Sequence, residues 1–224
     1  MKFFCLLSCL WCFTIACSAL PQVQPASGAA REEVPRKCLS LFPKGKWQFV
    51  HSIEATMPEG QKGLVIGVTV ISSRDKIAQS VIMTIEGLVI FDARYDRQLV
   101  VNRAVVPFDT EGFADGLLKD IQLIFFTPEG SLVESGYLSS GASVCRYQNP
   151  DGSIVDLAIH ADHRWRISQY SEQHRVSRTV DAFFTKQDPG SDHTKFPDRL
   201  ELKAHGFPGY ALVMDLVEAV PLIP

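Results

Sequence analysis

Apolar and polar positions along the chain repeat mostly with a period of two. In "WQFVHSIEATM", Trp47, Phe49, Ile53, Ala55 and Met57 fall on one face and Gln48, Ser52, Glu54 and Thr56 on the other, the alternation of a strand with one buried side. His51 interrupts the apolar face and reads as a core or rim residue with one hydrogen-bond partner rather than as a catalytic group. "PEGQKG" supplies turn residues and "LVIGVTVIS" is an apolar, β-branched return, so residues 47–72 are predicted to form a long hairpin. The meander continues with strands expected near 77–85, 88–95 and 98–105, separated by Glu86-Gly87 and Asp96-Arg97. Connections this short join antiparallel neighbours and leave no room for the crossover that a parallel sheet requires. No glycine-rich phosphate loop argues otherwise, since Gly63 and Gly67 lie in a turn and a strand.

The period changes once. In "PFDTEGFADGLLKDIQLIFFTPEG", Asp109 or Thr110 is placed to cap a helix, with Glu111 in its first turn. Phe113, Leu117, Leu118, Ile121, Ile124 and Phe125 then recur at helical spacing until Thr127-Pro128 ends the element. Gly112 and Gly116 each weaken such a helix by about 1 kcal/mol relative to Ala, so it should depend on packing its apolar stripe against the sheet, as a lid. Residues 130–142 read equally as a short helix or a loop. Beyond them, "SIVDLAIHADHRWRISQYSE" reads as a hairpin or one bent strand, "HRVSRTVDAFFTKQ" as a strand and "DPGSDH" as a turn. In the closing hairpin Leu200, Leu202 and Ala204 oppose Tyr210, Leu212, Met214 and Leu216. The expected total is about nine to eleven antiparallel strands and one helix, with no internal repeat of a propeller.

The N-terminus follows a different logic. Lys2 precedes an apolar run of 14 residues, Phe3 to Ala16, and small residues follow at Ala16, Cys17, Ser18 and Ala19, the grammar of a cleaved export signal spanning residues 1–16. The run is shorter than the roughly 20 residues of a membrane-spanning helix. "TIAC", Thr14 to Cys17, resembles a bacterial lipobox, with Thr14 where leucine is usual; that resemblance makes Cys17 the residue that would carry the acyl chains. "LLSC", Leu6 to Cys9, has too little apolar sequence before it to compete. Cleavage by ordinary signal peptidase, leaving a soluble exported protein, is the alternative. "SALPQVQPASGAAREEVPRK" has no apolar periodicity, so residues 17–39 read as a flexible tether and 40–224 as one domain. Ser18 after the cysteine resembles lipoproteins forwarded to the outer membrane, facing the periplasm.

Charge and cysteines narrow the class. The formal net charge of −3 becomes −4 once Lys2 is removed, and no basic block is present, which argues against a nucleic-acid partner. Cys38 and Cys145 are the cysteines of the domain, either paired as a disulfide in an oxidising compartment or two separate buried thiols. Candidate chemistry is sparse. "HADHRW" holds His160, Asp162 and His163, but on a strand an i,i+3 pair points to opposite faces and suits a metal poorly. Ser191 and His193 lie in a turn cluster without a nucleophile elbow, and Glu172 and His174 share a strand face without a third group. Neither a catalytic residue, a metal nor a cofactor is assigned, and the chain is expected to be a monomer and not an enzyme.

Lipobox, β-meander, "DGLLKDIQLIFF" (Asp115 to Phe126) and the C-terminal "FPDRLELKAHGFPGYALVMDL" together resemble the LolA/LolB-like superfamily of lipoprotein carriers, over roughly residues 40–220. The resemblance implies a mainly β fold, an unclosed antiparallel β-barrel with a helical lid or plug and an apolar cavity for acyl chains such as palmitate. In such a fold the lid face of Phe113, Leu117, Leu118 and Ile121 would meet inward strand faces carrying Trp47, Phe49, Met83 and Phe91. Two functions follow as expectations: a membrane-tethered lipoprotein that shields an acyl chain or lipoprotein and assists its transport or insertion, or an assembly lipoprotein with a filled core that holds a protein partner. The outer-membrane receptor of that superfamily inserts a leucine on a protruding loop; here the loop Met57 to Gly63 is polar, with Leu64 at its margin.

Overall fold

The computed structural model describes residues 20–184, 196–206 and 209–222. Strands and helices follow in the order β1 (Gln24–Pro25), α1 (Ala30–Leu39), β2 (Lys46–Thr56), β3 (Lys62–Ser72), β4 (Ile77–Met83), β5 (Val89–Asp96), β6 (Gln98–Ala104), α2 (Phe113–Phe125), β7 (Ser131–Tyr137), β8 (Ser143–Gln148), β9 (Ile154–Ile159), β10 (Trp165–Tyr170), β11 (Val176–Phe183), β12 (Arg199–Ala204) and β13 (Tyr210–Pro221). Among the described residues all strands join one 13-stranded sheet in the order β1-β7-β8-β9-β10-β11-β12-β13-β2-β3-β4-β5-β6. Every pairing is antiparallel, and β1 and β6 are its two unpaired edges. The architecture is therefore mainly β, an unclosed antiparallel half-barrel with helices, as the superfamily resemblance implies.

Two meanders build the sheet, β2–β6 and β7–β13, fused where the last strand pairs with the first long one: Leu212↔Ala55, Met214↔Ile53 and Leu216↔His51. α2 is the link between the meanders, and it packs on β4, β5 and β6. Pleat alternation sends Phe49, Ile71, Phe91, Leu157, Ile167, Val180, Leu200 and Leu202 inward, where they share a single core with α1's Val34 and Cys38 and α2's Leu118, Ile121 and Ile124.

Several expectations are corrected. The strands exceed the expected nine to eleven, because residues 131–137, read as a helix or loop, form β7, and a two-residue β1 pairs with it. The tether reading of residues 17–39 fails from Pro21 onward, where Arg146 donates to the Pro21 carbonyl and Gln24–Pro25 join the sheet. Val34 and Cys38 lie four apart on one buried face of α1, and the Glu32–Arg36 and Glu33–Lys37 pairs line its exposed side, so the apolar signal is too short to register as a period. α2 begins at Phe113, not after Asp109 or Thr110. Its N-cap is Gly112 at φ +80°, with no side-chain cap, because residues 106–112 turn separately and Thr110 accepts its hydrogen bond from Phe113 N–H. Glu111 thus precedes the helix, and Asp115 is the acid in its first turn. "SIVDLAIHADHRWRISQYSE" is a hairpin, β9–β10.

Candidate binding site on the lidded concave face

The inner wall of β3–β5 carries small side chains at its middle, between Ile71 and the Ile82–Phe91 pair. Thr69 faces Phe49 across β2–β3, Ser80 faces Thr69 across β3–β4, and Ala93 faces Ser80 across β4–β5, with Ala78 two residues along. All four are buried. α2 supplies the bulk that this wall lacks: Leu118, Ile121, Ile124 and Phe125 are buried, Phe125 stacks on Phe49 at 4.7 Å between ring centroids, and Phe113 meets Phe91 edge-on at 5.2 Å. The lid and the wall are therefore complementary in volume where they meet. Under the C-terminal half of α2 a cavity of ≈ 20 Å³ remains, room for about one water. Phe49, His51, Ile124, Phe125, Trp165, Phe196 and Leu216 are among its lining residues.

Polar ties hold the lid in place. Asp120, at 4% exposure, points from α2 across the interior, where Arg178 Nε of β11 donates to it at 2.9 Å and the Tyr210 hydroxyl of β13 donates to its other oxygen. The Arg178 guanidinium also lies over the Tyr210 ring at 5.6 Å. Burial pushes the Asp120 carboxyl above its ordinary pKa, partly offset by the Tyr210 hydrogen bond and the Arg178 charge. The Tyr210 phenol is raised too, by burial and then by the charge of Asp120. At the end of the lid, Lys76 Nζ donates to Thr127 O and Oγ1 at 3.2 Å each and lies over the Phe126 ring. His51 is buried against Phe49 and Phe125, and desolvation lowers its pKa to about 4, against the weaker pull of Asp215.

Of the residues expected to line a lipid pocket, Phe49, Phe91, Leu118 and Ile121 are buried in the core, and Trp47, Phe113 and Leu117 pack partly buried against it. Met83 does not join them. The inward positions of β4 are Ala78, Ser80 and Ile82, so the pleat turns Met83 to the other face, and Ile82 pairs with Phe91 in its place. Trp47 lies beside the cavity rather than on its wall, its ring edge-on to Phe196 and its Nε1–H donated to Lys44 O. Cys38 and Cys145 are joined as a disulfide with Cα atoms 6.4 Å apart. Cys17, Ser191, His193 and the expected turn at 188–193 lie outside the described residues.

His160 and His163 sit in the β9–β10 turn and Glu172 and His174 in the β10–β11 turn, not on strand faces. Among the described residues no three histidine, cysteine, aspartate or glutamate side chains cluster as a metal site. Sequence reasoning passed over Asp120 and Trp165. The readable sign of Asp120 was a carboxylate three residues after Leu117 and four before Ile124, inside the apolar stripe. It also passed over the β4–β5 turn, where Ile85 and Leu88 are exposed, while weighing only the polar loop 57–63.

No protein-family model matches the chain, and no curated protein matches it. Solved structures do. A LolA superfamily protein from Nitrosomonas europaea superposes with a TM-score of 0.50 at 14% identity, over 86% of this chain and 94% of that one. A DUF1329 family protein from Desulfovibrio piger superposes with a TM-score of 0.54 at 11% identity, over 87% of this chain and 92% of that one. With identities this low the likeness is one of fold: the chain shares the overall fold of the LolA superfamily protein and of the DUF1329 family protein.

Proposed function

We propose that the protein is a lipoprotein of the bacterial envelope, acylated at Cys17 and facing the periplasm from the outer membrane, that takes up an acyl chain or lipoprotein on the concave face of the half-barrel. The observation that carries this reading is the division of volume between lid and wall. A sheet wall whose middle is Thr69, Ala78, Ser80 and Ala93, flanked by Ile71, Ile82 and Phe91, would leave a trough if α2 swung away, because Leu118, Ile121, Ile124 and Phe125 of that one helix supply the bulk over its small residues. An acyl chain gains about 0.8 kcal/mol per buried CH₂, so a long chain competes with the few side chains of the lid for the same space. No catalytic step is assigned. The LolA superfamily fold is consistent with this use.

The small size of the cavity, ≈ 20 Å³, favours a second reading, a filled domain that serves as an assembly lipoprotein for a protein partner. Leu118→Ala does not separate the two, because Leu118 is fully buried under either and its truncation should cost about 2–5 kcal/mol. Ligand binding does. Native mass spectrometry of the domain with palmitate, together with displacement of a fluorescent fatty acid, should show one bound chain; absence of any bound chain, also after the lid is loosened by Arg178→Ala, overturns the carrier reading and leaves the assembly reading.

A further inference from the structure

The N-terminal segment wraps the β7 edge of the sheet. On the outer face, Arg146 Nη2 donates to Pro21 O at 2.9 Å. At the edge, Gln24 and Pro25 pair with Tyr137 and Gly136, and Ala26 N–H reaches Ser135 O. On the inner face, α1 packs on β7–β9 and is bonded to β8 through Cys38–Cys145. Gly136 is required there, since a Cβ would fall on the Gln24 carbonyl. The chain is thus held to the sheet at Pro21, four residues after Cys17, and four residues span at most about 14 Å.

That leash sets which surface meets the membrane. β1 covers only the far end of β7, so Ser131–Glu134 keep an open edge, with Leu132 42%, Val133 48% and, beside β1, Tyr137 37% exposed. Glu134, the carboxylate of β7, accepts from Arg146 Nη1 at 2.6 Å; Arg146 is shared with Asp156, so the trio keeps one negative charge, on the half-exposed Glu134 at the water side of such a boundary. Unpaired backbone groups suit the headgroup boundary and not the hydrocarbon. Tyrosine is a residue of that boundary.

We propose that the β7 edge, through Leu132, Val133 and Tyr137, is the surface on which the domain rests at the headgroup–acyl boundary of the bilayer holding Cys17. This rests on the reading that Cys17 is acylated. The occupant is a lipid surface, and the concave face is turned by the leash rather than hanging free on a tether. The β4–β5 turn, with exposed Ile85 and Leu88, and the open β6 edge, with exposed Leu99, Val100 and Val101, are rival apolar surfaces, and no described contact ties either to the N-terminal segment.

The test uses the full acylated chain in vesicles of phosphatidylethanolamine and phosphatidylglycerol with brominated acyl chains, and two added reporters, Val133→Trp and Leu88→Trp, both at exposed sites. Val133→Trp should lose most of its added fluorescence to the bromines and Leu88→Trp little, and a long Gly-Ser spacer between Cys17 and Pro21 should abolish the difference. Quenching at Leu88→Trp instead, or at neither site with the protein still on the vesicles, overturns the inference and leaves the acylation standing. Unmodified Cys17 by mass spectrometry, with no vesicle binding, removes the acylation and this inference together.

Discussion

His51 and Arg146 show how single side chains set conditions on this fold. The folded pKa of His51, about 4, lies below its ordinary 6.5, so the unfolded chain binds the proton first as pH falls. Its contribution is constant above pH 6.5 and is lost progressively down to pH 4, by about 3 kcal/mol in full. Urea unfolding between these limits should show that slope, and His51→Leu should flatten it. Arg146 is buried at 6% exposure between Asp156, reached by two bonds of 2.7 and 2.8 Å, and Glu134. Arg146→Ala would leave Asp156, itself 4% exposed, without its counter-charge, at a cost of about 3–5 kcal/mol. Chemical denaturation should report that loss, and Asp156→Asn in the same chain should recover part of it.

α2 is an element held by packing and by one charged residue that its own sequence does not pair. Because the folded pKa of Asp120 is raised, the stability it contributes is full in acid and declines as pH rises through that value, so the lid is held more firmly in acid. Arg178→Ala removes the charge that offsets its burial, and at neutral pH should loosen α2 by about 3–5 kcal/mol. Hydrogen exchange of residues 113–125 should report the loosening, which should shrink in mild acid and be reversed by adding Asp120→Asn. The same logic applies to the strap across β7. Gly136→Ala places a methyl on the Gln24 carbonyl, so β1 must detach, and limited proteolysis at Arg31 should accelerate while far-UV circular dichroism barely changes.

At the scale of the whole molecule the covalent tie between Cys38 and Cys145 spans a sequence separation of 107. It joins α1 to the second meander across the entire first one, so it restrains the unfolded chain as a loop of that length. Chain-entropy reasoning puts the stabilisation of such a loop near 4–5 kcal/mol. Reduction should lower the denaturation midpoint by an equivalent amount, and Cys38→Ala with Cys145→Ala should reproduce it. Fusion of the meanders through β13 and β2 makes the sheet a single cooperative unit, so circular dichroism and Trp165 fluorescence should report one coincident transition.

The sequence by itself determined the local periods. Alternation in 47–72 and in the closing hairpin fixed which residues share a face, down to the Leu200↔Met214 and Leu202↔Leu212 pairs, because a pleat has a period of two and a tight turn sets its register. The stripe from Phe113 to Phe125 fixed the lid and its buried side in the same way. Met83 shows the limit of that reading: a face must be counted from a correctly placed neighbour, and one residue's slip exchanged it for Ile82. β7 was illegible because its exposed edge carries polar and apolar residues alike on both faces, and α1 because two buried residues make too short a stripe. Only the tertiary structure decided that β13 lies beside β2, that Asp120 meets Arg178 and Tyr210, that the lid packs over the small residues of the wall, and that residues 21–26 clasp β7 and Arg146 of β8. Each of these joins residues far apart in the chain, and such contacts are chosen by the course of the open sheet and by the matching of volumes and charges across it, which no local period encodes.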